Sequence, residues 1–430
     1  MSICRWILQL SKHKVRTTLF SAEFKLSSLI RMGMPYLVLQ GSVFTGVEFI
    51  EAGCVVVDQS TGSIVEVGRK GEVNEPKYSR VIDVHGSTIL PGLMDAHIHF
   101  FGSKKYDMAE WVTTPETLVA LRSVADARRL LRAGFTTVRD LGSKAGTYLR
   151  QAVEEGMFEG PRIVSAAKSL SQTGGDDDLT ILPLDISERL SYSYYCDGPW
   201  ECRKAVRKVV RDGGDLVKVY ASGSMSQGTK VRRQFTLEEL KAIVDEAHSV
   251  GLKVAAHAYG EEALTNSVKA GVDSIEHGIG LTPEIAKEME RKGVFYIPTL
   301  SAYLAMAPTR NEEHLRLVKR HLTEDMELAK QFHLKVVVGS DFVGCDTEPH
   351  GENYREIVNV AKYFGNKEAL VAATSRAAEC LGLEKSGWVK VGYDGDLVIA
   401  RGNPMEDVEN LSPNNILYVI RRGQLHAIND

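Results

Sequence analysis

The stretch Pro91-Gly-Leu-Met-Asp95-Ala-His97-Ile-His99-Phe100 decides how this chain is read. With Ile89 and Leu90 before it, the run has the length and apolar content of a buried strand. Residues i and i+2 of a strand project to one side, so His97 and His99 point the same way and can hold one ion. A bare His-x-His also suits two polar histidines beside a loop, so its meaning depends on the rest of the chain.

Outward from that stretch, short apolar strands alternate with helical segments between residues 89 and 383, the pattern of βα units on a parallel sheet. The expected strands are 89–100, 136–141, 162–166, 216–221, 253–259, 274–278, 294–300 and 336–341. Eight parallel strands over roughly 290 residues predict an α/β fold, a (β/α)8 TIM barrel with its active site at the C-terminal strand ends. One helix is legible in detail. Thr236 and Glu239 form a capping box, Leu240, Ile243, Val244 and Ala247 make an apolar stripe, and Gly251 stops it. Two connections are long, Ser169–Pro199 and Gly223–Gln234, and are candidate substrate lids.

Both ends of the chain carry β-type runs broken by turn residues: 36–39, 54–58, 63–67 and 81–84, then 388–391, 396–400 and 417–421. They predict a small β-sandwich domain built from residues 35–88 and 384–430, flanking a catalytic barrel of 89–383. Residues 1–34 stand apart, with six Lys or Arg against the single acid Glu23. A transit peptide, a disordered arm and an initiation codon placed too far upstream all fit this basic extension.

Across 430 residues the chain is 43% hydrophobic and 25% charged, with 38 Gly and 13 Pro, which excludes disordered, collagenous and small disulfide-scaffold classes. A net charge of -4 gives no basic field for nucleic acid or anionic membrane. Six scattered cysteines without a C-x-x-C pair favour a reducing compartment, so a cytoplasmic location is expected. No apolar run approaches the roughly 18 residues that span a bilayer.

Three more ligand-type residues fall at expected strand ends: His257 on strand five, His277 on strand six and Asp341 on strand eight. Imidazole and carboxylate are common ligands of divalent transition metals. Lys218 lies mid-strand in Asp215-Leu-Val-Lys-Val-Tyr-Ala-Ser222, between Val217 and Val219, and so faces the barrel interior. A lone ammonium there costs several kcal/mol unless paired or neutralised. A salt bridge to an inward acid such as Asp341 is one escape; carboxylation by carbon dioxide, giving an anionic carbamate that bridges two cations, is the other.

The ordered set His-x-His, Lys, His, His, Asp resembles the binuclear form of the amidohydrolase superfamily, with its bridging carboxylated lysine. Pro91 to His99 is similar to the superfamily's strand-one motif, and Gly392-Tyr-Asp-Gly-Asp-Leu-Val-Ile399 with Asn403-Pro404 to its return into the sandwich. Val217 to Gly223, Ser171-Gln-Thr-Gly-Gly175, Glu276-His-Gly278 and His350-Gly351 resemble the imidazolonepropionase-like branch. That branch contains metal-dependent Xaa-Pro dipeptidases, arginine carboxypeptidases and an ochratoxin-hydrolysing amidase. There are departures: Asp176-Asp177-Asp178 follows Gly175 where relatives read His-Gly-Asp, and Ser222-Gly223-Ser224 stands for Ser-Gly-Gly.

The resemblance implies two divalent ions, zinc the expected metal: His97, His99 and Asp341 for one, His257 and His277 for the other, and carboxylated Lys218 bridging both. It implies hydrolysis of an amide or peptide bond in a dipeptide such as Xaa-Pro or in an N-acyl amino acid, with Asp341 as general base and acid. Tyr220 and Tyr259, each two residues after an expected ligand, are candidate oxyanion donors or packing residues. Arg232, Arg233, Lys230 and His350 are candidate partners for a substrate carboxylate, or merely solvated. His248, His314, His321 and His333 are expected in helices away from the site, and Asp176 to Asp178 in a solvated turn or a substrate loop. A cyclic-amide hydrolase, a mononuclear deaminase and a non-catalytic scaffold are the other readings. The partner expected is a small molecule or dipeptide, and a homo-oligomer is allowed.

Overall fold

The computed structural model describes residues 34–224, 232–306 and 312–428; the basic extension before Met34 and Lys230 lie outside them. The chain opens with β1 (Tyr36–Phe44), β2 (Phe49–Asp58), β3 (Ser63–Arg69) and β4 (Ser79–Pro91). Gly92 then divides what the sequence suggests is one strand from 89 to 100. A Cβ at Gly92 would lie 1.9 Å from the Thr136 hydroxyl, so only glycine lets the chain pass from the outer sheet into the parallel strands.

Beyond Gly92 the strands are β5 (Leu93–Ile98), β6 (Phe135–Asp140), β7 (Arg162–Ser165), β8 (Ser169–Ser171), β9 (Ser193–Tyr195), β10 (Leu216–Tyr220), β11 (Lys253–Tyr259), β12 (Ser274–Ile279), β13 (Phe295–Ile297) and β14 (Lys335–Val336). Every pairing among them is parallel. They form two arcs, β5-β6-β7 and β9-β8-β10-β11-β12-β13-β14. Hydrogen bonds join the arcs at both ends. The Asp215 N–H donates to the Ser165 carbonyl at 2.7 Å, and the Ala96 and His99 N–H groups donate to the Val338 and Phe342 carbonyls, each at 2.9 Å. The strands are buried on both faces and helices connect them, as a parallel α/β sheet requires.

The helix Leu237–Ser249 begins as read from the sequence, with the Thr236–Glu239 capping box formed in both directions. The long connection after β7 is not structureless: it holds β8, the helix Leu184–Leu190 and β9. The eighth expected strand has only two ladder residues, Lys335–Val336, because the chain then bends towards β5.

After the helix Ser375–Leu381 the chain returns through β15 (Leu397–Arg401), β16 (Ile416–Arg421) and β17 (Gln424–Ala427). These join β1–β4 in one hydrogen-bonded sheet of order β17-β16-β15-β4-β1-β2-β3. Register shifts in β1 between Gly41 and Val43, and opposite them in β4, bend the two long strands where the sheet folds over. Leu37, Leu39, Val55, Val57, Ile64, Ile89, Leu397, Ile399 and Ile420 fill its interior, each worth ~1.5–3 kcal/mol when fully buried. Trp388–Val391, expected as a strand, is a turn segment between Gly387 and Gly392, both in the left-handed region, and ties to the sheet through Val389 N–H to the Thr45 carbonyl. Among the described residues no helix is long and apolar enough to cross a membrane.

Candidate active site

One cavity opens at the C-terminal ends of the parallel strands. Among its lining residues are His97 and His99 at the end of β5, Lys218 and Tyr220 on β10, His257 and Tyr259 on β11, His277 on β12, and Asp341 beyond β14. His97, His99 and Asp341 offer three ligand atoms within 4.8 Å of one another. Asp341 Oδ1 lies 3.1 Å from His97 Nε2 and 3.3 Å from His99 Nε2. The rings of His257 and His277 lie 4.6 Å apart, and His277 is 5.0 Å from His97.

The hydrogen-bond network assigns each imidazole a tautomer. His97 Nδ1–H donates to Glu276 Oε2 at 2.9 Å and His99 Nδ1–H to the Gly142 carbonyl at 2.9 Å. Thr299 gives its hydroxyl proton to the Pro298 carbonyl at 2.8 Å, so it accepts from His277 Nδ1–H at 2.8 Å. His257 Nε2–H points at the Gly223 carbonyl at 3.4 Å. Each ring is thereby left with one unprotonated nitrogen, as metal ligands with an outer hydrogen-bond partner require. His97 Nε2 is buried with no hydrogen-bond partner. This donor set fits divalent cations.

Lys218 is 1% exposed, and among the described residues no carboxylate lies within ion-pair distance of its ammonium. The salt bridge to Asp341 allowed by the sequence is not made; Nζ sits over the Tyr220 ring, 5.0 Å from its centroid. Burial pushes the Lys218 pKa down, against the pull of Glu276 and Asp341. Burial likewise lowers His257, to about 3, and His277. For Asp341 burial works upward, but His97, His99 and His277 hold its carboxyl well below the usual range.

Beneath the candidate ligands lies a layer that strand alternation does not reveal. Arg139 on β6 donates to Glu276 Oε1 at 2.8 Å, and Arg139 with His97 holds Glu276 at about 2 despite burial. Asp95 accepts from the backbone N–H groups of His97 and Ser340 at 3.0 Å each, and from Asn353 at 2.8 Å, pinning β5 to the last strand. Glu276 and His277 are consecutive, yet both reach His97. A regular strand would send them to opposite faces; His277 escapes that rule with φ +66. Asp341 at φ +61 and Thr299 at φ +52 are also left-handed, so strained backbone collects at the site. The sequence signal for this layer was a charge in each of two otherwise buried strands, Arg139 and Glu276.

Of the residues read as carboxylate contacts, the three described, His350, Arg232 and Arg233, are not among the cavity's lining residues. His350 is buried and donates Nε2–H to the His99 carbonyl at 3.1 Å; burial pushes it down to about 4, so it is a neutral brace rather than a cationic grip. Arg233 is paired with Glu262 at 3.1 Å, and neither it nor the exposed Arg232 lines the cavity. Tyr220 and Tyr259 do line it, and Tyr259 shares a 2.6 Å hydrogen bond with Tyr303. Asp176, Asp177 and Asp178 are buried, not a solvated turn, and the first two line the cavity. His321 is buried against Tyr303 and bonds the Pro298 carbonyl at 2.8 Å, supporting the Thr299 turn.

A family model described as "Amidohydrolase family" matches residues 88–426. The chain belongs to the amidohydrolase family. It is 30% identical over 391 residues to the ochratoxinase of Aspergillus niger, covering 84% of this chain and 80% of that one. The crystal structure of A. niger ochratoxinase superposes with a TM-score of 0.83 at 26% identity, over 91% of this chain and 95% of that one. A prolidase complexed with N-methylphosphonate-L-proline superposes with 0.81 at 34% identity, over 91% and 99%. A Xaa-Pro dipeptidase with bound methionine in its active site gives 0.80 at 29%, over 91% and 100%. These similarities put this amidohydrolase in the branch its motifs resemble and make it a hydrolase of amide-type carbon–nitrogen bonds.

Proposed function

We propose that this amidohydrolase is a binuclear metal-dependent enzyme that cleaves the amide bond of a dipeptide or N-acyl amino acid. The observation that carries the reading is Lys218: buried, without a carboxylate partner, and facing the same cavity as four imidazoles and Asp341. Its neutral amine adds to carbon dioxide, forming a nitrogen–carbon bond and releasing one proton, so a buried cation becomes a buried anion. His97, His99 and Asp341 would hold one divalent ion, zinc being the expected one, and His257 and His277 the second, with the carbamate common to both. Two bound cations supply an acidic water and an electrophile for the scissile carbonyl.

The chain's own residues do the rest. Asp341 turns Oδ1 towards the unprotonated Nε2 atoms of His97 and His99, where the three would hold one ion; its Oδ2 takes a proton from the attacking water and passes it to the leaving amine. The Tyr220 hydroxyl has no hydrogen-bond partner among the described residues, and burial keeps it protonated, so it donates to the carbonyl oxygen as charge gathers there. We read the two arcs as one closed (β/α)8 barrel of residues 89–383, with 35–88 and 384–430 as its β-sandwich companion. Cytoplasmic action on a small molecule, with no nucleic-acid partner, is the setting that the charge and cysteines support.

The test is elemental analysis of wild type and Lys218→Ala expressed with bicarbonate, alongside hydrolysis of Xaa-Pro dipeptides and N-acyl amino acids. About two ions per chain, falling in the variant together with amide cleavage, is expected. Loading that ignores the substitution overturns the binuclear reading.

A further inference from the structure

The helical stretch that packs against β12 is not uniform. Between its α-helical parts, Glu312–Arg320 and Met326–Gln331, the turn His321–Asp325 is π-helical. Such wide turns are rare and gather at functional sites. This one carries two fully buried polar side chains, His321 and Asp325, neither of which lines the cavity.

Both ring nitrogens of His321 face oxygens. Nδ1 lies 3.2 Å from Asp325 Oδ2, and Nε2 lies 2.8 Å from the Pro298 carbonyl. The two Asp325 oxygens already accept from backbone N–H groups, of Gly280 and Leu281 at 3.0 Å each, so Asp325 is an acceptor for His321 as well. A carbonyl can only accept. His321 therefore donates from both nitrogens and clamps Asp325 to the residue before Thr299. The contacts close a circuit. Asp325 holds the turn that follows β12, His321 holds the end of β13, and His277 on β12 spans the two strands by donating Nδ1–H to Thr299 Oγ1 at 2.8 Å. Both ends of that last bond are left-handed, His277 at φ +66 and the β-branched Thr299 at φ +52. Such backbone persists only where its surroundings over-determine it, and the clamp is built across these two residues.

We propose that His321 is a positioning residue for the second ion. By drawing the ends of β12 and β13 together it holds Thr299 where it accepts from His277 Nδ1–H, which keeps Nε2 as the unprotonated, ligating nitrogen of His277. The ion belongs to the binuclear reading on which this rests; the clamp stands on hydrogen bonds alone.

The experiment compares zinc titrations and two-bond ¹H–¹⁵N spectra of the ¹⁵N-histidine-labelled protein as wild type, His321→Leu and His321→Gln. Leucine fills the space of the ring and donates nothing, whereas glutamine keeps one donor for the Pro298 carbonyl. His321→Leu is expected to retain the ion of His97, His99 and Asp341 and to bind the other about 10- to 100-fold more weakly, with His321→Gln between it and wild type. His277 should show a protonated Nδ1 in wild type and a mixture of tautomers in His321→Leu, while the His99 tautomer stays fixed. Adding His321→Leu to Thr299→Ala should weaken the second ion no further, because both substitutions act on one bond. Equal weakening of both ions, an unchanged His277 tautomer, or fully additive losses overturns the positioning role. Should His321→Leu not fold, His321→Gln carries the same comparison. A wild type that holds one zinc ion, with a His277 tautomer that still depends on His321, overturns the binuclear reading alone.

Discussion

Glu276 places Oε2 2.9 Å from His97 Nδ1 and Oε1 2.8 Å from Arg139 Nη2, so a single buried carboxylate ties a guanidinium to a proposed metal ligand. Glu276→Gln should weaken metal affinity about 10- to 100-fold, because an amide cannot fix the His97 tautomer and accept from Arg139 together. The exposed-to-water alternative is closed to Arg139, so stability should fall by about 3 kcal/mol. Chelator competition and thermal melts check both; undiminished metal affinity would refute the orienting role.

Tyr220→Phe removes one hydroxyl from the cavity and little volume. Turnover should drop about 10²–10³-fold with unchanged metal content. Steady-state kinetics with elemental analysis decide, and full activity would move the oxyanion contact to another donor.

Asp126, in the helix Glu116–Arg132, is buried, and its carboxyl is pushed up to about 6 against the pull of Arg129, 2.9 Å away, and Arg122. Between its ordinary pKa and 6 the folded chain binds a proton that the unfolded chain has released, so its contribution to stability falls as pH rises through that window. Asp126→Asn should therefore gain on wild type by about 1.4 kcal/mol between pH 5 and pH 8. Urea denaturation at the two values measures it; a gap that moves the other way shows that the Arg129 pair dominates.

Gly92→Ala would press a methyl group to within 1.9 Å of the Thr136 Oγ1 and 2.7 Å of its Cβ. A loss of about 1–3 kcal/mol is expected from such overpacking, partly restored by adding Thr136→Ala. Chemical denaturation of the single and double variants tests the coupling.

The proposed ligand set was legible because the chemistry of parallel α/β folds sits at strand ends, and a strand's alternation says where its side chains point. His97, His99, Lys218, His257, His277 and Asp341 all line one cavity. Alternation fails where the backbone turns left-handed, and so the pairing of Glu276 with His97, next door to His277, was out of reach. Loops defeated the reading for a different reason. Charge in a loop predicts solvent, yet Asp176 and Asp177 are buried by hydroxyls and backbone donors brought from distant segments. His350 was misplaced likewise, since its partner, the His99 carbonyl, lies 251 positions away. At the chain ends, Trp388–Val391 has strand composition but lies between two glycines that turn the chain.

The sheet that unites β4 with β15 also sets an order of events during synthesis. β4 pairs with β1 at once, but its other edge waits for Leu397–Arg401, about 300 residues later. At a ribosomal rate of roughly 5–20 residues per second, that edge stays uncovered for about 15–60 s while the catalytic strands emerge. An unpaired strand edge invites foreign partners, so truncation before β15 should yield a nascent protein that depends on chaperones and aggregates without them.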